Sequence, residues 1–193
     1  MVNKQIFLSH SWQLDKENRN NHKRVCELAN KLELCGWTVW LDEHDMFDNI
    51  DVSMANGIDN SDAVIICLTE TYFIKINDAS NNPRIRDNCL KEWTYANARN
   101  KIIIPVIMEK FLLNKSNWPR GIISLYFGST LYIDASSNNL NYSIILIDKR
   151  LKQYGLIITP NSTPNTSSKV SPISTPEASP EASPEASPEA SPE

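Results

Sequence analysis

The sequence predicts an α/β protein: a parallel sheet covered by helices on both faces, followed by a long segment with no core of its own. Three observations carry that expectation. Short Val/Ile-rich runs alternate along the chain with stretches whose apolar residues recur at helical spacing. Two of the runs, AVIICLT and KIIIPVIME, are almost unbrokenly apolar, as strands buried on both faces must be. From about Leu156 the chain turns into ITPNSTPNTSSKVSPISTPEASPEASPEASPEASPE. That stretch has no aromatic residue, and its four-residue Ser-Pro-Glu-Ala period cannot bury a hydrophobic face, so residues 156–193 are expected to be a disordered tail and residues 1–155 the folded domain.

The elements follow in order. QIFLSH, Gln5 to His10, reads as the first strand. In NHKRVCELANKLELCG the apolar residues Val25, Leu28, Leu32 and Cys35 stand three, four and three apart, the stripe of a helix, and Gly36 suits its C-terminal cap. WTVWLDE is a second strand. Ile50, Met54 and Ile58 are four apart on a further helix, with Asp48 or Asp51 available as its N-cap. AVIICLT is the third strand. An Asn-rich loop, NDASNNPRIRDN, leads to a helix beginning near Cys89, and KIIIPVIME is the fourth strand. STLYIDAS and LNYSIILIDKRLKQYG close the domain as a short strand and a helix.

Charge narrows the function. Of 23 acidic and 19 basic residues, five acidic and one basic lie in the tail, so the folded part is neutral and the net charge of -4 belongs to the tail. A nucleic-acid binder shows a clustered basic excess, which is missing here. The N-terminus MVNKQIFLSHSW does not read as a signal peptide, and no segment approaches the roughly 18 apolar residues of a membrane span. The expected location is cytoplasmic, where Cys26, Cys35, Cys67 and Cys89, lacking CxxC spacing, are structural thiols. The N-x-S/T matches at Asn141, Asn161 and Asn165 are therefore discounted as glycosylation sites. Asp42, Glu43, His44 and Asp45 form a dense group of possible metal ligands, but consecutive loop residues seldom converge on one ion, so no metal is expected. Neither GxSxG nor GxxxxGK[ST] occurs.

In open parallel sheets, ligands gather beyond the carboxyl ends of the strands. Here those positions are Ser9 to Trp12, Asp42 to Met46, Thr69 to Tyr72, and Met108 to Glu109. The stretches around them, FLSHSW, GWTVWLDEHDM, MANGIDNSDAVIICLTETYF and NCLKEWTYANARNKIIIPVIME, occur in that order, and together they resemble a Toll/interleukin-1 receptor/resistance protein (TIR) domain over residues 4–154. The resemblance implies a flavodoxin-like, three-layer fold around five parallel strands. It also implies one of two activities. Some TIR domains are non-catalytic adaptors that bind other TIR domains in signal transduction; others, in signalling or innate immunity, hydrolyse NAD at the nicotinamide–ribose bond to nicotinamide and ADP-ribose or a cyclic form of it. The cleaving members carry a glutamate on the helix before the fourth strand, in plants within Cys-Leu-x-Glu, and CLKE puts Glu92 there.

The chemistry suits a carboxylate. Nicotinamide leaves as a neutral molecule, so the difficulty lies in the oxocarbenium-like ribose, whose charge a carboxylate can offset while it holds the hydroxyls. A first-turn Glu92 would be kept ionised by the positive end of its helix, although the same dipole makes glutamate common there without any catalysis, with Lys91 and Arg99 as surface neighbours. The candidate catalytic residue is Glu92; the candidate contacts to NAD, a substrate and not a resident cofactor, are Ser9, His10, Trp12, Trp40, Asp42, Met46 and Cys89. Trp12 is either a stacking surface for a nucleotide ring or a half-buried loop aromatic. His10 lines the pocket without acting as a base, since the reaction requires none. Asp42 either binds ribose or caps a turn. Two departures stand out. The loop DEHDMFDNID lacks the Arg-Asp-x-x-Pro-Gly of receptor and adaptor TIR domains, and Asn88 stands where many active members have tryptophan, with Trp93 pointing about 100° away round the helix.

Overall fold

A computed structural model describes residues 5–41 and 49–158. Five strands, β1 (Ile6–His10), β2 (Val39–Trp40), β3 (Ala63–Leu68), β4 (Ile102–Ile107) and β5 (Ile133–Asp134), form one parallel sheet in the order β2-β1-β3-β4-β5. This is the flavodoxin-like order, whose connections reverse direction between β1 and β3. The helices are α1 (Asn21–Leu34), α2 (Ile50–Asp59), α3 (Glu70–Asn81), α4 (Asn88–Ala98), α5 (Ile122–Phe127) and α6 (Asn141–Gln153), with short 3-10 turns at Lys110–Leu113 and Lys115–Asn117.

Strand alternation divides the core into two layers. Ile6 and Leu8 of β1 pack with Val25, Leu28 and Leu32 of α1 and with Ile147 and Leu151 of α6. Phe7, one residue out of phase, packs on the other face with Trp40, Met54, Ile58 and Tyr72. With a side-chain period of two, Ser9 belongs to the face of Phe7 and His10 to the face of Leu8. Gly57 of α2 is needed on the second face: a Cβ there would lie 2.6 Å from the Trp40 ring, which is itself stacked on Phe7 at 4.3 Å.

Several boundaries depart from expectation for identifiable reasons. The N-cap of α2 is neither Asp48, which lies outside the described residues, nor Asp51, which is inside the helix; Asn49 accepts from the Val52 amide instead. The Asn-rich stretch is helical up to Asn81, because Thr69 caps α3 and Tyr72, Phe73, Ile76 and Ala79 bury one face, outweighing the weak helix propensity of asparagine. The short α5 had no clear sequence signal. Gly36 does follow the end of α1 in the left-handed region, at φ +97°. The packing also runs past residue 155: Leu156 and Ile158 lie against the α1 and α6 layer, and Gln5 Nε2 donates to the Ile157 carbonyl at 2.7 Å. The repeat segment from residue 159 lies outside the described residues.

Candidate functional site

The site is assembled where β1 ends against α3 and α4. Asp87 caps α4, accepting from the Leu90 amide, so the helix starts at Asn88 and Glu92 is its fifth residue. That corrects the expectation of a first-turn carboxylate: Glu92 stands beyond the first turn, where the helix dipole acts most strongly. Glu92 is only 7% exposed, and its Oε2 accepts a hydrogen bond from Ser9 Oγ at 2.6 Å. Ser9 in turn lies 2.8 Å from the Tyr72 hydroxyl. Lys91 and Arg99 pair elsewhere, with Asp51 and Asp59, each at 2.6 Å. Glu92 also borders a cavity of about 470 Å³ between α2 and α4, with Met54, Ile58, Tyr95 and Ala98 in its lining. The Asp51–Lys91 pair belongs to the same lining. Burial pushes the Asp59 carboxyl up, but the Tyr95 hydroxyl and the Arg99 guanidinium outweigh this and hold it below its ordinary value.

The remaining expected contacts separate into groups. His10 faces α1, where its Nε2 lies 2.7 Å from Nδ1 of His22. Trp12, half exposed at 52%, stacks on the same His22 ring at 3.8 Å and 10°. Cys89 is buried and directs its thiol to the His10 carbonyl at 3.5 Å; burial, then the Glu92 charge, raise its pKa well above the ordinary thiol value. Trp40 is 5% exposed in the core beneath α2. Its position gives it a packing role, not an accessible stacking face. Asp42 and Met46, with the possible metal-ligand group Asp42 to Asp45, lie outside the described residues. Trp93 does not stand in for the missing tryptophan: Asn88 is exposed, whereas Trp93 is buried edge-on to Tyr126 with centroids 5.5 Å apart.

Next to these, at the reversal point between β1 and β3, the strand ends are bridged by the chain itself. Ser11 Oγ meets Thr69 Oγ1 at 2.9 Å, and the buried Glu109 carboxylate accepts from the amides of Lys16 at 2.7 Å and Glu70 at 2.5 Å. Asp15 holds the turn that follows by accepting from the Arg19 amide and Nε. Arg24 donates to the carbonyls of Met108 and Ala135 where β4 and β5 end. Sequence reasoning named Thr69, Tyr72 and Glu109 only as residues following strands. It missed His22, Asp15, Arg19 and Arg24, whose partners are distant in the chain.

The fold, the strand order and the site now stand beside known proteins. A family model described as the TIR domain matches residues 6–144. The chain belongs to the TIR domain family. Among solved structures, this TIR domain is similar to the TIR domain of the Toll-related receptor TRR-2 from Hydra magnipapillata, at 16% identity over 75% of this chain and 94% of that one, with a TM-score of 0.49. It is also similar to the TIR domains of the activated Roq1 resistosome recognising the pathogen effector XopQ, at 16% identity over 78% of this chain and 99% of that one, with a TM-score of 0.46. No curated protein matches the chain. Among the described residues, no helix is long and apolar enough to cross a membrane, and no group of three or more His, Cys, Asp or Glu side chains is placed to hold a metal ion.

Proposed function

We propose that this TIR domain cleaves NAD at the nicotinamide–ribose bond, with Glu92 as the carboxylate that stabilises the ribose cation. The observation that carries the reading is the setting of Glu92: a nearly buried carboxylate that accepts from Ser9 and borders a cavity. A carboxylate placed in that way is worth more than one in water, because at 7% exposure it is itself largely removed from solvent. When the bond breaks, the electron pair leaves with neutral nicotinamide. The cation left at the anomeric carbon is quenched by water, which gives up one proton to solvent as ADP-ribose forms, or by a second nucleophile on the same molecule, which sheds any proton it carried to solvent, to give a cyclic product. His10 takes no proton in this scheme. It is held by His22 on the α1 side of β1, whereas Glu92 is reached through Ser9 on the other side.

A second reading, in which the domain only binds other TIR domains, is favoured by exposed apolar residues on α5 and α6. Leu125 is 84% exposed, Tyr142 68% and Ile145 61%. One experiment separates the two. The full chain is incubated with NAD across a range of protein concentrations and nicotinamide release is followed, with Glu92→Gln as control. The enzyme reading expects release by the native chain and a loss of about 100-fold or more in the variant, on the scale of removing an electrostatic stabiliser. No release at any concentration would leave the binding module.

A further inference from the structure

Proton counting favours one direction for the hydrogen bonds that link Tyr72, Ser9 and Glu92. Ser9 has one hydroxyl proton and donates it to Glu92 Oε2 at 2.6 Å. Its oxygen is then free only to accept, so the contact of 2.8 Å with Tyr72 is donated by the phenol. Tyr72 is suited to donating. Burial, followed by the nearby Cys89 and Glu92 charges, raises its pKa well above the ordinary phenol value, so it retains its proton. The reverse chain requires a protonated Glu92 giving its proton to Ser9, Ser9 giving to Tyr72, and Tyr72 giving to the Cys89 carbonyl. That last contact is 3.5 Å long, at the limit of a hydrogen bond. The forward chain has good geometry at both links and ends on a carboxylate; the reverse chain ends on a poor acceptor. In the forward chain Oε2 of Glu92 acts only as an acceptor, the role of an ionised carboxylate oxygen.

We propose that Tyr72 and Ser9 form a one-way hydroxyl relay that keeps Glu92 ionised and fixes its orientation, making both of them positioning residues for the reaction at Glu92. The proposal rests on the reading of Glu92 as the functional carboxylate, but the relay is a property of the protein that can be measured without substrate. Both hydroxyl residues are fully buried, at 0% exposure, so water cannot readily take over either link. Strand alternation is what puts them in reach: Ser9 follows Phe7 on the α3 and α4 face, and Tyr72 lies one turn into α3 on that same face.

The test follows the Glu92 carboxyl by NMR in the full chain labelled with 13C-glutamate, its signal assigned by its loss in Glu92→Gln. Ser9→Ala is expected to raise the titration midpoint of Glu92 by about one to two pH units, the worth of a hydrogen bond to a charged group. Tyr72→Phe raises it by less. Because Tyr72 acts only through Ser9, the double variant matches Ser9→Ala alone, whereas independent effects would add. In the native enzyme and the variants, the acid limb of kcat/KM moves with the NMR midpoint. An unchanged midpoint in a folded Ser9→Ala or Tyr72→Phe chain, or an additive double variant, overturns the relay. If Ser9→Ala fails to fold, Tyr72→Phe alone decides it. A native chain that releases no nicotinamide refutes the proposed reaction instead, and the NMR titration still decides the relay.

Discussion

Glu109 provides the most demanding test of how the strand ends are braced. Its side chain is 1% exposed, and its two oxygens accept from the amides of Lys16, in the loop after β1, and Glu70, at the first residue of α3. Replacing it with alanine leaves two amide donors without acceptors. Each buried unsatisfied donor costs about 1–3 kcal/mol, and the loss of a carboxylate from a helix N-terminus adds about 0.5 kcal/mol. Because these amides are only partly buried, the low end applies, and Glu109→Ala should lose about 2.5 kcal/mol. Glu109→Gln keeps one acceptor but turns an amide NH2 toward the other donor, so about half that loss is expected. The assay is urea unfolding of the full chain, read by circular dichroism: the midpoint should fall with little change in slope, since the exposed surface is the same. Hydrogen exchange at Lys16 and Glu70 should accelerate together. An alanine variant within about 0.5 kcal/mol of the native chain would show that water replaces the carboxylate at no cost, and the bracing argument would fail.

Two further outcomes follow from the packing. A chain ended after Gly155 should be less stable than one ended after Ile158 by about 2 kcal/mol, for the lost Gln5–Ile157 hydrogen bond and the half-buried Leu156 and Ile158; equal urea midpoints would mean that residues 156–158 only rest on the domain. Stability should also fall at alkaline pH: burial raises Cys67 from 9.0 to about 12 and raises Cys89 and Tyr72 well above their ordinary values. The unfolded chain therefore loses these protons first, so the stabilisation is complete below about pH 9 and declines above it. A melting temperature that stays level from pH 8 to pH 10.5 would contradict this.

The sheet was legible because its signal is local. AVIICLT and KIIIPVIME are apolar at nearly every position, and a strand covered on both faces has no other way to be written. Helix α3 was not legible, because its asparagines argue against helix while its buried face of Tyr72, Phe73, Ile76 and Ala79 begins only three residues after Thr69, where it blends into the strand before it. At the site, CLKE identified Glu92, but no local pattern could show that Ser9, 83 positions earlier, would supply its hydrogen bond. The same holds for Arg24, whose carbonyl partners include Ala135, 111 positions away. The N-cap of α2 was missed for a different reason: Asp48, Asn49 and Asp51 are all competent caps, and the choice depends on where the chain enters the helix.

The stretch FLSHSW shows how alternation gives one short motif two different settings. Ser9 and His10 are neighbours in sequence, and both were candidates for the same pocket, yet the pleat sends their side chains to opposite faces of the sheet. On one face Ser9 meets Tyr72 and Glu92. On the other His10 meets His22, over which Trp12 is stacked. A hydrogen bond between two imidazoles requires one nitrogen to donate and the other to accept, so this contact cannot persist when both rings are doubly protonated. Ser9 and Tyr72 have no such dependence near neutrality, because neither hydroxyl ionises there. The carboxylate is thus held by hydroxyls, and the loop bearing Trp12 rests on an imidazole pair. A one-residue slip of β1 would exchange these roles, placing an imidazole beside Glu92 and a hydroxyl beneath Trp12. The register of β1 against β3, with Ser9 opposite Ile66 and His10 opposite Cys67, is therefore as much a requirement of the site as Glu92 itself.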